Sequence, residues 1–307
     1  MKLVTLAAPD GSRLGALRDG RVADLAALAA RGDAAAYVTD MLAFLRGGEA
    51  ARSAVARLLD AAERDAAAWR PLAELRLLAP VANPRKILAL AGNYQEHIRE
   101  GGLAVQPKAQ MAPQVFIKPV TCLIGPEEAI RLPGPICTAV DYEAELGVVI
   151  GRAGRNVPVD RAIDHVAGYL NFNDVSGRRL NIEVPREITP RTGFFDWLNG
   201  KWFDTFAPIG PWLALKDEVP DPQALDLELR VNGQVRQRAS TADMVFGVAE
   251  TVAWLSQFVT LEPGDLIATG TPSGVGAATG TFLQPGDVVE MEITGLGRLR
   301  NRVAPAP

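Results

Sequence analysis

The chain has 307 residues, of which 22% are charged and 48% are hydrophobic, so it can bury a sizeable core and is not intrinsically disordered. It carries 32 Lys and Arg against 36 Asp and Glu, and the net charge of −4 argues against nucleic-acid binding, which requires a basic surface. Two cysteines are too few for a disulfide framework or a thiolate metal site. No apolar run reaches the about 18 residues of a membrane span, and charged residues precede any secretory apolar core. We therefore expect a cytoplasmic protein without a membrane or nucleic-acid partner.

The length favours about two domains, and residues 1–75 differ from the rest because alanine is very common there. A short hairpin is predicted around residues 9–11, between strands at 2–6 and 13–17. Alanine favours helices, and apolar periodicity predicts helices at residues 22–30, 40–45 and 50–68. We predict a small N-terminal α/β domain at 1–75 without chemistry of its own, followed by a larger domain at 80–307.

Beyond residue 80, short β-type runs alternate with Pro and Gly. Asn232 and Gly233 predict a type I′ hairpin turn between residues 225–231 and 234–238. Pro-Gly-Asp at 263–265 and at 285–287 each precede a strand, and residues 245–259 predict one long helix. Other strands are predicted at 86–91, 114–118, 143–150 and 167–172. We predict a β-rich α+β fold; the chain has no P-loop motif and no G-x-S-x-G elbow, which weakens nucleotide and serine-hydrolase interpretations.

Two glutamates mark one of these strands. Side chains alternate along a strand, so Glu143 and Glu145 point to the same side, about 7 Å apart along the strand. The opposite, core-facing side consists of Tyr142, Ala144, Leu146, Val148 and Ile150. Two converging carboxylates repel each other unless protons or a cation neutralise them. Asp174 follows the next predicted strand and supplies a third carboxylate, although alone it is typical of a turn. Three oxygen ligands without Cys or His favour Mg²⁺ or Mn²⁺ over Zn²⁺.

The two histidines have different surroundings. Asn93 and Glu96 have the spacing of a capping box, which predicts a short helix over residues 94–100. His97 and Glu100 share one face of this helix, and a carboxylate beside an imidazole fixes its tautomer, as a general base requires. The alternative is an exposed ion pair. His165 lies in a polar helical segment, and we expect it at the surface.

These motifs, in this order, resemble the fumarylacetoacetate hydrolase family over about residues 82–303. The residues that carry the resemblance are Gly92-Asn93-Tyr94 with His97 and Glu100, Asp141-Tyr142-Glu143-Ala144-Glu145, Asn173-Asp174-Val175-Ser176, Lys201 before Phe203-Asp204-Thr205-Phe206, and Gly270-Thr271-Pro272-Ser273-Gly274-Val275-Gly276.

The resemblance implies a mixed β-roll catalytic domain at 80–307, usually in a homodimer. It implies that Glu143, Glu145 and Asp174 hold Mg²⁺ or Mn²⁺. It also implies catalytic roles for His97, Glu100 and Lys201, and substrate contacts for Tyr94, Arg178, Asn181 and Thr271. Asn181 stands where the family often has a longer glutamine, so its contact is in doubt. The segment between Asp174 and Lys201 is longer than in many members, and its Phe-Phe-Asp-Trp at 194–197 is either an aromatic lid or loop packing.

The resemblance leads to the hypothesis of a metal-dependent hydrolase that cleaves a carbon–carbon bond in a 1,3-dicarbonyl acid such as an acylpyruvate, in the catabolism of aromatic or related small acids. A metal-bound enolate would serve equally in the decarboxylation of a 2-oxo acid such as oxaloacetate, or in the isomerisation of a dienoate. Decarboxylation needs no attacking water, so the His97–Glu100 pair would then be less essential. A non-catalytic binding module is the remaining alternative.

Overall fold

The computed structural model describes residues 1–9, 11–29, 34–63, 65–102 and 104–306. Its strands are Lys2–Ala8 (β1), Gly11–Arg18 (β2), Arg21–Asp24 (β3), Trp69–Pro71 (β4), Leu77–Leu78 (β5), Ile87–Ala91 (β6), Gln114–Lys118 (β7), Leu123–Ile124 (β8), Ile130–Arg131 (β9), Val140–Asp141 (β10), Ala144–Ile150 (β11), Val166–Asn173 (β12), Ser176–Gly177 (β13), Ala207–Leu215 (β14), Asp226–Val231 (β15), Gln234–Ser240 (β16), Leu266–Ala268 (β17), Val288–Ile293 (β18) and Arg298–Ala304 (β19). Its α-helices are Leu25–Ala29 (α1), Met41–Ala62 (α2), Gln95–Glu100 (α3), Pro190–Gly200 (α4), Val248–Phe258 (α5) and Gly276–Thr279 (α6).

A large mixed sheet runs through the molecule in the order β4-β3-β2-β1-β14-β12-β11-β17-β6-β7. Most neighbours are antiparallel, whereas β17 and β6 are parallel. The N-terminal strands extend this sheet, because β1 pairs with β14 through Lys2 opposite Ala214 and Leu3 opposite Leu213. Residues 1–75 therefore share one sheet with the rest of the chain, and a boundary at 75–80 stays a prediction.

The central strands are buried on both faces. Because side chains alternate along a strand, β11 sends Leu146 and Val148 into one hydrophobic core and Val149 into the other. Its neighbour β12 adds Tyr169 to the first core and Leu170 to the second. The sequence of such a strand is a nearly continuous apolar run, so Glu145 within β11 and Glu143 just before it stand out.

A second sheet has the order β16-β15-β18-β19-β9. The predicted hairpin joins β15 and β16 at one edge of this sheet. Its turn residues, Asn232 and Gly233, have φ values of 53° and 76°, the left-handed conformation that a type I′ turn requires at both positions. The strands predicted after the two Pro-Gly-Asp sequences are β17 and β18. The α+β, strand-rich fold class is confirmed.

The N-terminal helix predictions were partly wrong. Residues 22–24 belong to β3 because Val22 pairs with Leu17 of β2, and the Asp24 side chain then accepts a hydrogen bond from Ala27 N at 3.0 Å at the start of α1. Ala30, the predicted end of that helix, lies outside the described residues, as does Asp10 of the predicted hairpin turn. The helices predicted at 40–45 and 50–68 are one helix, α2, which bends at Gly48 and ends at Ala62.

The helix predicted over 245–259 is α5, which starts later, at Val248. None of the helices in the described part of the chain is long and apolar enough to cross a bilayer. The predicted strands at 86–91, 114–118, 143–150 and 167–172 are β6, β7, β11 and β12, with ends that differ by at most one residue.

Candidate active site

A cavity of about 610 Å³ lies between α3, α4, α6 and the adjoining ends of the large sheet. Its polar lining comprises His97, Glu100, Gln114, Glu143, Arg178, Lys201 and Thr271. Its apolar lining includes Ala91, Ile98, Phe194, Trp197, Ala277 and Ala278. The structure therefore brings six of the residues that the sequence selected into one cavity.

Strand pairing assembles the three acids beside this cavity. Glu145 lies on β11 opposite Phe172 of β12, Glu143 precedes β11, and Asp174 follows β12. The backbone N–H of Asp174 donates to Glu143 O at 2.9 Å, which fixes the two loop ends together. One carboxylate oxygen from each of Glu143, Glu145 and Asp174 lies within 4.8 Å of the others, and all three residues are buried.

Three cations surround the acids. Lys201 Nζ donates hydrogen bonds to Glu143 Oε2 and Asp174 Oδ2, each at 2.7 Å. Lys118 Nζ, which is fully buried, lies 2.6 Å from Asp174 Oδ1. Arg178 donates to Glu143 and, through Nε at 2.7 Å, to Asp141 Oδ2. The sequence interpretation missed Lys118 and Asp141; the only signal for Lys118 was a charge at the end of an apolar strand.

The pKa values of Glu143 and Glu145 are shifted in opposite directions. Burial alone would raise the pKa of Glu143, but Lys201 and Arg178 outweigh burial and hold that pKa well below the ordinary carboxyl range. Burial, reinforced by Asp174 and Glu143, raises the pKa of Glu145 well above that range. Burial lowers the pKa of Lys201, but Asp174 and Glu143 more than compensate, so its pKa is raised and the ammonium stays charged.

These residues fit a divalent cation. Glu145 accepts a hydrogen bond from Gly270 N through Oε2 at 2.7 Å, whereas its buried Oε1 has no hydrogen-bond partner among the described residues. A buried oxygen without a partner is costly, and a carboxylate with a raised pKa is neutralised by a proton or by a metal. Carboxylate oxygens are the ligands that Mg²⁺ and Mn²⁺ prefer.

The second cluster is the His97–Glu100 pair on α3. His97 Nδ1 lies 2.7 Å from Glu100 Oε1, and Glu100 Oε2 accepts a hydrogen bond from Gly274 N at 2.8 Å. Glu100 therefore ties the imidazole to the loop after β17. Its carboxylate favours the tautomer that carries the proton on Nδ1, which leaves Nε2 free to act as a base.

The predicted capping box does not form. The N-cap of α3 is Tyr94, without a side-chain cap, and the side chain of Asn93 points elsewhere. Asn93 Nδ2 donates to Thr269 O at 2.7 Å and to Phe246 O at 3.0 Å, and Asn93 Oδ1 accepts from Phe246 N at 2.8 Å. Asn93 thus joins three segments around the cavity, a tertiary role that local spacing does not reveal.

Gln237 links the acids to the loop after β17, and no sequence pattern indicated this role. Its Oε1 accepts a hydrogen bond from the N–H of Ala144, which lies between Glu143 and Glu145, at 2.9 Å. Its Nε2 donates to Thr271 Oγ1 at 2.8 Å and to Pro272 O at 2.9 Å. One fully buried amide therefore sets the position of the acid-bearing strand relative to Thr271.

Two predicted substrate contacts do not line the cavity. Asn181 is exposed and hydrogen-bonds through its backbone N–H to Ile136 O, away from the acids' strands. Tyr94 is buried, and its hydroxyl has no hydrogen-bond partner among the described residues. Burial first, and then the charge of Glu145, raises its pKa, so the phenol stays neutral. His165, expected at the surface, is half-buried outside this site, and its Nδ1 lies 3.1 Å from Arg152 O.

The aromatic segment at 194–197 lies on a helix, α4, rather than in a loop. Phe194 and Trp197 line the cavity, whereas Phe195 is outside the lining. Trp197 packs edge-on against Phe116 with ring centroids 5.0 Å apart, and Lys201 Nζ lies 5.1 Å from the Phe116 ring. These rings form an aromatic wall beside the ammonium group.

The comparison with protein families shows the family of the chain. The model of the fumarylacetoacetate (FAA) hydrolase C-terminal family matches residues 86–304, which include all the groups described above. The chain belongs to the fumarylacetoacetate hydrolase family. The membership predicted from five motifs in order is confirmed.

The names of similar proteins describe several different reactions. The mitochondrial oxaloacetate tautomerase FAHD2A of Bos taurus is 43% identical over 265 residues, which cover 86% of this chain and 79% of the relative. A maleylpyruvate hydrolase from Sphingobium sp. SYK-6, solved with manganese(II) and pyruvate, is 32% identical, with a TM-score of 0.78 over 100% of each chain. A 2-hydroxyhepta-2,4-diene-1,7-dioate isomerase from Mycobacterium marinum is 30% identical, with a TM-score of 0.71 over 99% of this chain and 98% of that one. The chain is an enzyme of this family, and these relatives do not share a single reaction.

Proposed function

We propose that this protein is a divalent-metal-dependent hydrolase that cleaves the carbon–carbon bond of an acylpyruvate. The observation that carries the proposal is that the His97–Glu100 pair lines the same cavity as Glu143 and Lys201. A base paired with a carboxylate is what activation of water requires. Glu143, Glu145 and Asp174 would hold Mg²⁺ or Mn²⁺, and the bound ion would act as a Lewis acid toward the 2-oxo-carboxylate. We further propose a cytoplasmic homodimer that serves the catabolism of aromatic or related small acids.

The chain's own groups would bind and orient the substrate. Arg178 and Thr271 line the cavity near the acids, and they would contact the oxo-acid end of the substrate. Arg178 is held by Asp141 and Glu143, and Thr271 by Gln237, so neither group needs to reorganise on binding. Tyr94 and Asn181 do not line the cavity, which leaves their predicted contacts without support.

His97 would start the reaction. With the proton of Nδ1 directed at Glu100, Nε2 takes a proton from water, and the resulting hydroxide attacks the carbonyl remote from the carboxylate. The Lys201 ammonium stabilises the developing oxyanion. The bond between this carbon and the methylene then breaks, and its electron pair remains on the pyruvate fragment. That fragment takes up the proton from His97 Nε2, so the products are a carboxylate, pyruvate and one released proton.

Keto–enol tautomerisation of oxaloacetate is the second candidate. It is favoured by the 43% identity to an oxaloacetate tautomerase over most of both chains. This reaction moves a proton between carbon and oxygen and needs a base but no attacking water. Decarboxylation of oxaloacetate and isomerisation of a dienoate would use the same enolate.

One panel of assays tests these reactions. The metal-loaded protein is offered acylpyruvates, oxaloacetate and a 2-hydroxydienoate, and the same panel is repeated with chelator and after addition of Mn²⁺ or Mg²⁺. We expect acylpyruvates to yield pyruvate only with metal. Faster tautomerisation of oxaloacetate without hydrolysis of any acylpyruvate would favour the second candidate, and full turnover after removal of metal would contradict both.

A further inference from the structure

We propose that the cavity accepts an acylpyruvate whose acyl tail is uncharged and apolar, and that it discriminates against substrates with a second carboxylate. This inference rests on the proposed function, because it concerns the substrate of the same site. It is carried by the charges of the cavity lining. Glu143 and Lys201 are almost fully buried and mark the deep end, whereas Phe194, Ala277 and Ala278 are exposed and mark the mouth.

The two cations of the lining are already paired with acids. Lys201 is bonded to Glu143 and Asp174, and Arg178 to Glu143 and Asp141. Among the described residues that line the cavity, there is no other Lys or Arg. Each of these two cations also belongs to the deep end, where the oxo-acid group would bind. A carboxylate at the far end of a substrate would therefore meet no free positive charge.

The mouth of the cavity is mainly apolar, and its polar side chains, His97, Glu100 and Gln114, include no Lys or Arg. Ile98 and Phe194 contribute large side chains there, and Ala277 and Ala278 add methyl groups. Trp197 continues this apolar surface inward, toward Lys201. Burial of a carboxylate against such a surface is costly without a partner, and Glu100 adds a like charge. Burial of apolar area is favourable, and each methylene transferred from water changes an equilibrium by about fourfold.

The inference distinguishes this chain from its relatives. A heptadiene-1,7-dioate carries two carboxylates, and so does maleylpyruvate; these names belong to the substrates of the related isomerase and hydrolase. The cavity volume of about 610 Å³ is also far larger than a four-carbon acid needs. The space that remains beyond the oxo-acid end is the space that we assign to the apolar tail.

A matched pair of substrates tests the tail. 4-Methylpentanoylpyruvate and succinylpyruvate have the same shape and number of heavy atoms, but the first ends in an isopropyl group and the second in a carboxylate. We expect kcat/KM to favour the isopropyl compound by about tenfold or more, with the difference mainly in KM. Initial rates on the metal-loaded protein give kcat and KM, and titration calorimetry on the metal-loaded His97→Ala variant, which lacks the proposed base, gives the affinity for both compounds without turnover.

Two variants sharpen the test. Phe194 lines the cavity and is 55% exposed, so Phe194→Arg places a cation at the mouth without disturbing a core, and we expect the preference to shift toward succinylpyruvate by about tenfold. Phe195 is the matched control, because it is 48% exposed and adjacent but outside the lining. Phe195→Arg adds the same charge and should leave the preference unchanged.

The outcomes separate this inference from the proposed function. Equal or better binding and turnover of succinylpyruvate by the unmodified protein would overturn the apolar tail while leaving the hydrolase in place. Binding that favours the isopropyl compound without any pyruvate release would support the tail and refute the hydrolase. If neither compound binds, both proposals are wrong. An equal shift in both variants would refute the assignment of the mouth to Phe194.

Discussion

The deep end and the mouth of the cavity are built in different ways. At the deep end, the acids lie on or beside paired strands, and each is held by backbone or cationic partners at short distances. At the mouth, the groups lie on three helices, α3, α4 and α6, whose side chains are partly or fully exposed. His97, the proposed base, belongs to the mouth side, with 21% of its side chain exposed.

The two ends of the cavity suit different tasks. A sheet buried on both faces holds like charges at fixed separations, which a metal site needs. Short helices can vary in sequence without altering that sheet, so the substrate's tail and the base can be adjusted separately. If the division holds, substitutions at the deep end should change metal affinity, whereas substitutions at the mouth should change turnover and leave metal affinity intact.

The largest effect is expected at the deep end, from Glu145→Gln. The substitution keeps the size of the side chain but removes one anionic ligand, and a Lewis acid worth several kcal/mol corresponds to a loss of about 10⁴-fold in turnover. Calorimetric titration with Mn²⁺ should show a large loss of affinity. Glu96→Gln, at an exposed glutamate of α3, is the control and should behave like the unmodified protein. Unchanged Mn²⁺ affinity in Glu145→Gln would refute the acid triad as the metal site.

The next effect is expected on the mouth side, from His97→Ala. Loss of a general base lowers turnover by about 10³-fold, whereas Mn²⁺ affinity should stay nearly constant because His97 is not among the acids. His165→Ala removes the other imidazole and should leave both quantities unchanged. A parallel loss of turnover and Mn²⁺ affinity in His97→Ala would break the division between the two ends.

The sequence predicted the parts of this site that depend on local spacing. Alternation along the strand predicted at 143–150 placed Glu143 and Glu145 together, and the three-residue spacing on α3 paired His97 with Glu100. It failed where distant segments meet. Asn93 matched a capping box but bonds to residues far along the chain, and Lys118 and Gln237 approach the acids from other strands. Which side chains from distant segments meet depends on tertiary packing, and a single sequence carries no periodic signal for it.

Gln237→Leu tests one of these contacts between distant segments. The variant leaves Ala144 N and Thr271 without their buried partner, so we expect the acids and Thr271 to lose their mutual position. Outer groups that orient metal ligands are worth about 10–100-fold, and here both KM and Mn²⁺ affinity should weaken. Gln234→Leu, at an exposed position of the same strand, is the control. A purely structural role would lower the unfolding temperature alone, with KM and Mn²⁺ affinity unchanged.

The smallest effect concerns the pH dependence of the metal-free protein. The pKa of Glu145 is raised above its ordinary value of 4.5, so the folded state holds this proton more tightly than the unfolded state. Its contribution to stability is therefore complete below the ordinary value and is lost as pH rises through the raised pKa. The lowered pKa of Glu143 acts only at more acidic pH. With chelator present, the unfolding temperature should fall by about a few degrees as pH rises, and metal should abolish this fall by displacing about one proton.

Calorimetry in buffers of different ionisation enthalpy counts the proton that metal displaces. Glu145→Gln should release none, and release of the same proton by the variant would place the titrating group elsewhere.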